Sequence, residues 1–193
     1  MKPIVPNMLL KLYYETARQK VVEVLFKYPD REFSLSDLAK VAGVAKAHIG
    51  KVLNDFNKLG LIDITKLSKI WRIRAKMDNP LYIKNKIIYN LNLVYQSGLV
   101  EQLITDFNNP KAIVLFGSFR KGEDISGSDI DIAIETDEDI DYQTFIFKEE
   151  TQLEKQIERK IQIHKFNRKK IDINVFNNIA NGILLSGFLE VRP

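Results

Sequence analysis

Apolar positions recur at spacings of three and four through Leu10, Tyr13, Ala17, Val21, Val24 and Leu25, which predicts a helix from about Leu9 to Phe26. Tyr28-Pro29-Asp30 ends it. Ser34 stands three before Asp37 and ahead of Leu38, Val41 and Val44, a capped start for a short helix that Gly43 breaks. A third helix is expected from Ala45 to Leu59, with Ile49, Val52, Leu53, Phe56 and Leu59 on one face and Gly60 just past its end. The pattern then changes to alternation. Leu61–Thr65 and Ile70–Ala75 read as two strands of a hairpin.

Asp78-Asn79-Pro80 interrupts the pattern and is the expected domain boundary. Residues 81–106 predict one or two linking helices broken near Gly98, and Asn108-Asn109-Pro110 punctuates again. Beyond it the apolar run Ala112–Phe116 predicts a strand, and a second strand is expected from Ser128 to Glu135. An acidic loop (residues 137–141), a helix from Tyr142 to Arg159 and an alternating strand from Lys160 to Phe166 follow. The tail fits two periods. Ile171, Val175, Ile179 and Ile183 predict a helix from Arg168 to Asn181 capped by Asn167, before a short strand at Ile183–Leu185; Ile171, Ile173 and Val175 also fit a strand. The fold expected is α+β in two domains: residues 1–78 with a helix-turn-helix and hairpin, a helical linker over 79–109, and a mixed sheet with helices over 110–193.

Charge supports this division. The 193 residues carry a net +4, but residues 1–80 hold 15 Lys and Arg against 8 Asp and Glu, whereas residues 81–193 hold 14 against 17. A basic first part and an acidic second part suggest two tasks. The absence of cysteine excludes disulfides and thiolate chemistry and fits the cytoplasm. No apolar run is long enough for a membrane span, and Met1-Lys-Pro-Ile-Val-Pro6 has no secretion-signal core.

Candidate chemistry concentrates between residues 112 and 135. Asp129 and Asp131 are two apart, so on a strand they share a face, about 6–7 Å along it. Carboxylates so spaced can share one divalent cation or flank two. Gly117-Ser118, at the end of the preceding strand, offers backbone N–H groups and a hydroxyl to phosphate oxygens. Gly117 and Gly122 have P-loop spacing, but Glu123-Asp124 follows where that motif needs Lys and Ser or Thr. His48 and His164 lack metal-ligand companions in the sequence and are read as non-ligands.

Gly117-Ser118, a basic turn with Gly122, and Gly127-Ser128-Asp129-Ile130-Asp131 together resemble the minimal nucleotidyltransferases of the DNA polymerase β superfamily, over residues 110–190. That resemblance implies Asp129 and Asp131 as the catalytic residues holding Mg²⁺ or Mn²⁺ on a nucleoside triphosphate, ATP foremost. It implies phosphate binding by Gly117, Ser118 and Ser128, with Arg120 and Lys121 as further contacts. An acceptor hydroxyl would then attack the α-phosphorus and release pyrophosphate. The family usually carries a third acid on the strand after the intervening helix. Alignment puts Gln162 there, and Asp172 supplies it only if the tail is a strand.

The segment from Phe33 to Ile62 resembles the winged helix-turn-helix family, and its union with such a transferase through an Asn-Pro-led helical linker resembles a class of small prokaryotic, often archaeal, proteins. The resemblance implies DNA as a partner, read by the exposed Lys46, His48, Lys51, Asn54 and Lys58, with Lys66, Lys69, Arg72 and Arg74 of the wing on phosphates. Trp71 is read as hairpin packing. A homodimer through the first helix or the linker, and a protein partner or acceptor, are also expected. Two rival readings remain open: a DNA-binding regulator with a degenerate, nucleotide-sensing transferase domain, and an antitoxin-like partner protein.

Overall fold

The computed structural model describes residues 16–67 and 70–191. Its contacts divide the chain between Tyr89 and Asn90 into two units. The segment read as a linker therefore contributes to both, because one helix, α4 (Pro80–Gln96), runs across the division.

The first unit is α1 (Ala17–Lys27), α2 (Leu35–Val41), α3 (Lys46–Lys58), β1 (Ile62–Leu67) and β2 (Ile70–Ala75). The beginning of the expected first helix, with Leu10 and Tyr13, lies outside the described residues, as does Lys69 of the wing. Each helix end has a local cause. Thr16 caps α1 by accepting from the Gln19 amide at 3.1 Å, and Ser34 caps α2 by accepting from that of Asp37 at 3.1 Å. The turn after α2 passes through Gly43 at φ 61°. α3 closes in a Schellman arrangement: Gly60, at φ 71°, donates to Asn57 O at 3.0 Å and Leu61 donates to Phe56 O at 2.9 Å. β1 and β2 pair antiparallel from Ile62↔Ala75 to Leu67↔Ile70, and Phe33 bridges to Ile73. Val21, Leu25, Leu38, Ile49, Leu53 and Ile73 are wholly buried in the core between these elements. Truncating any of them to Ala costs about 2–5 kcal/mol. Three helices followed by a two-stranded wing make this unit a winged helix-turn-helix.

The second unit continues from the later part of α4 through α5 (Leu99–Asp106), β3 (Ala112–Phe116), α6 (Gly117–Lys121), β4 (Ile130–Glu135), β5 (Gln143–Ile146), α7 (Gln152–Ile157), β6 (Ile161–Phe166), α8 (Ile173–Ala180) and β7 (Ile183–Gly187). Its five strands lie in the order β5-β6-β4-β3-β7. β4 and β6 are parallel; the other pairs are antiparallel. One face buries Ala112, Val114, Ala133 and Phe166 against Ile179 of α8. Alternation turns Ile130, Ile132 and Ile134 to the other face, where they are also fully buried. Burial on both faces explains why β3 is a continuous apolar run and why β4 keeps Ala133 between its isoleucines.

Two expectations are corrected. The helix expected from Tyr142 to Arg159 begins only at Gln152, after a Thr151–Glu154 capping box. The residues before it form β5, which pairs with β6 as an edge strand, Thr144 opposite His164 and Ile146 opposite Gln162. Thr144, Phe145 and Ile146 are strand formers, and an open sheet edge outweighs their weak helical period. The tail helix is likewise shorter than expected. Asn167 closes a turn by accepting from the Lys169 amide at 2.9 Å, and α8 starts only after Asp172.

Candidate nucleotidyl-transfer site

β3 ends at Phe116, and the chain turns at once through Gly117, at φ 72°, into the single turn of α6. A side chain at Gly117 would be strained twice. Its φ is left-handed, and a Cβ there would come within 2.1 Å of Asp131 Oδ2. Register explains the approach, since Phe116 faces Asp131 across the β3–β4 ladder. Thus the carboxylate of Asp131 lies directly against the Gly117-Ser118 turn. On the other side of β4, the parallel ladder pairs Asp131 with Gln162.

Asp129 does not share the strand with Asp131, as the sequence led one to expect. β4 starts at Ile130, whose amide donates to Lys160 O at 2.8 Å, and Asp129 is exposed just before it. The cause is the preceding turn. The Ser128 hydroxyl oxygen accepts from the Ile125 amide at 2.9 Å, while its own amide donates to Ile125 O at 3.0 Å. Ser128 is thereby committed to shaping the loop. Gly117, Ser118 and Arg120 are half-buried and Lys121 is exposed around the same turn.

Asp172 lies in no strand of the sheet. Its Oδ1 accepts from the amides of Asn174 at 2.8 Å and Val175 at 3.3 Å as the N-cap of α8. Across the β4–β6 ladder Asp131 faces Gln162, which brings no charge.

The residue that sequence reasoning missed is His164. Read as lacking companions, it has Asp131: Nε2 lies 3.1 Å from Asp131 Oδ1, and Nδ1 is hydrogen-bonded to the Tyr142 hydroxyl. Phe116 packs edge-on against the ring at 4.8 Å. Burial first, and then the charge of Asp131, push the Tyr142 phenol above its ordinary range. The available signal was the period of β6, which puts His164 on the same face as Gln162.

Among the described residues, no three His, Cys, Asp or Glu are grouped to hold a metal ion by themselves. The donor set nevertheless fits a cation brought with substrate. Asp131 against the Gly117 turn and the exposed Asp129 just before β4 would be its hard oxygen ligands, and Mg²⁺ is commonly held by one or two carboxylates with the rest of its shell from phosphates and water.

In the winged helix, Lys46, His48, Lys51, Asn54 and Lys58 are all exposed on α3. Arg72 and Arg74 of β2 are exposed but both engage Glu32, at 2.5 Å and 2.9 Å. The Arg72 hydrogen bond is the main cause holding the Glu32 carboxyl below its usual range. Asp55 is paired with Arg18 at 3.5 Å. Trp71 lies under the Lys66 ammonium, 4.2 Å from the ring centre, and packs against the core.

Residues 99–187 match the family described as polymerase beta, nucleotidyltransferase. Comparison with curated proteins gives no match. Among solved structures, the adhesin competence repressor AdcR from Streptococcus pyogenes is similar at 17% identity over 52% of this chain and 87% of that one, with a TM-score of 0.31. Similarity at that level assigns neither fold nor activity.

Proposed function

We propose that this protein is a metal-dependent nucleotidyltransferase that moves a nucleoside monophosphate from a triphosphate, ATP foremost, to an acceptor hydroxyl. The observation that carries the reading is the contact between the Asp131 carboxylate and the glycine turn at Gly117, within the segment that matches the nucleotidyltransferase family. In this reading the backbone amides at Gly117-Ser118 and the Ser118 hydroxyl bind the triphosphate, with Arg120 and Lys121 adding charge from α6. Asp129 and Asp131 orient it through the divalent cation it carries. When bound, Mg²⁺ or Mn²⁺ supplies neutralisation of the charge that builds on the phosphate oxygens. Ser128 acts by shaping the loop that presents Asp129. The test is incubation of the full chain with α-labelled nucleotides, Mg²⁺ or Mn²⁺, and candidate acceptors. Transfer of label with release of pyrophosphate supports the reading. Nucleotide that binds but is never transferred favours a sensor domain.

The winged helix supports a second part of the proposal, delivery of the transferase to duplex DNA. A row of exposed basic and amide side chains on α3 suits a major groove. Lys46→Ala with Lys51→Ala is expected to weaken DNA binding and to reduce its salt slope by about 2, roughly one per lost phosphate contact. Glu32→Gln is expected to act oppositely, because it frees Arg72 and Arg74 for phosphates. Titration of labelled duplex across a range of salt concentrations reads both. Absence of affinity at low salt would make this unit a protein-interaction module.

A further inference from the structure

The two oxygens of Asp131 are not equivalent. Oδ2 is turned to Gly117, whereas Oδ1 meets His164 Nε2 at 3.1 Å. His164 is in turn fixed on its other nitrogen by Tyr142 and on its ring by Phe116, with the Tyr142 ring 5.9 Å away. The His164 side chain is only 10% exposed and that of Asp131 23%. With a neutral imidazole, hydrogen counting leaves one arrangement in which every member is satisfied. An ionised Asp131 only accepts, so Nε2 must carry the imidazole proton. Nδ1 then accepts, and the Tyr142 hydroxyl donates to it.

We propose that Tyr142 and His164 are positioning residues that hold Asp131 by Oδ1, so that Oδ2 alone is presented to the Gly117-Ser118 turn and to the divalent cation of a bound nucleotide. This rests on the nucleotidyl-transfer reading above and gives it a specific device. The neighbour of Asp131 on β6 is the neutral Gln162, so no second carboxylate is available there to share in binding the cation. A carboxylate left free to rotate would offer either oxygen. The His164 bond removes that freedom before the nucleotide arrives, as partners behind metal ligands commonly do.

Two measurements on the full chain test this. In metal-free protein, long-range proton–nitrogen correlation of the imidazoles has only two histidines to resolve, His48 and His164. His164 should show a ring protonated at Nε2, and Tyr142→Phe should disturb that pattern. A ring protonated at Nδ1 alone would overturn the proposal. The second measurement is Mn²⁺ affinity in the presence of a non-hydrolysable ATP analogue, by calorimetry or electron paramagnetic resonance. His164→Ala should weaken it about ten- to hundredfold. Tyr142→Phe should weaken it less, and His164→Gln, which restores a neutral donor, should recover part of the loss. Mn²⁺ affinity unchanged in a folded His164→Ala protein sinks the positioning role. Asp131→Asn separates the two ideas. If it abolishes Mn²⁺ binding while His164→Ala does not, only the positioning role fails; if it too leaves binding intact, the nucleotidyl-transfer reading fails with it.

Discussion

Asp129→Ala combined with Asp131→Ala is expected to remove all metal-dependent binding of a nucleoside triphosphate while leaving the protein folded. Asp131 is the better placed of the two. Its carboxylate is held between β3 and β6, against Gly117 on one side and His164 on the other. Asp129 is exposed at the mouth of the Ile125–Ser128 turn. Without both carboxylates the site keeps backbone donors and basic side chains but has no anionic oxygen for a cation, and Gln162 cannot substitute. The folding cost should stay small. Losing an exposed aspartate changes stability within about 0.5 kcal/mol, and losing the hydrogen bond to His164 costs about 1 kcal/mol. Calorimetry of ATP binding with Mg²⁺ and with chelator reads the effect. An affinity that responds to Mg²⁺ equally in wild type and double variant would remove both aspartates from the site.

The parts of this arrangement that were legible in the sequence depend on local spacing. The Gly117-Ser118 turn and the Asp131 strand follow from a change of period between short apolar runs, whereas Gln162 was placed beside Asp131 only by the family resemblance. The α3 boundary and the wing were legible because Gly60 and the alternation of Ile70–Ala75 act within a few residues. What the sequence did not reveal depends on long-range register. His164 and Asp131 are 33 positions apart, and only the parallel β4–β6 pairing makes them neighbours. β5 was mistaken for helix because an exposed four-residue edge strand leaves almost no burial pattern of its own. Asp172 was ambiguous for another reason. A carboxylate reads alike as metal ligand or helix cap until the following residues are known to be helical, and α8 uses it as the cap.

A second ionic element packs on Phe119 of α6, and its disruption should have a large effect on stability. Asp124 and Arg159 form an ion pair whose side chains are 0% and 3% exposed. Asn90 Nδ2 donates to Asp124 Oδ1 at 2.8 Å and to Phe119 O at 2.8 Å, and the Arg159 guanidinium lies over the Phe119 ring at 5.8 Å. These contacts tie α4, α6 and the start of β6 together. Arg159→Met keeps much of the volume but takes the guanidinium from a fully buried carboxylate. Removing one partner of such a pair costs about 3–5 kcal/mol, which for a domain of this size lowers the melting temperature by roughly 10 °C or more. Asp124→Asn added to Arg159→Met should recover part of that loss, since the carboxylate that faced the guanidinium is gone while an acceptor for Asn90 remains. Thermal unfolding of the single and double variants gives the coupling directly. Additive losses would mean that the pair acts through packing alone. Recovery in the double variant would show that charge compensation, rather than packing, holds α6 and the start of β6 together.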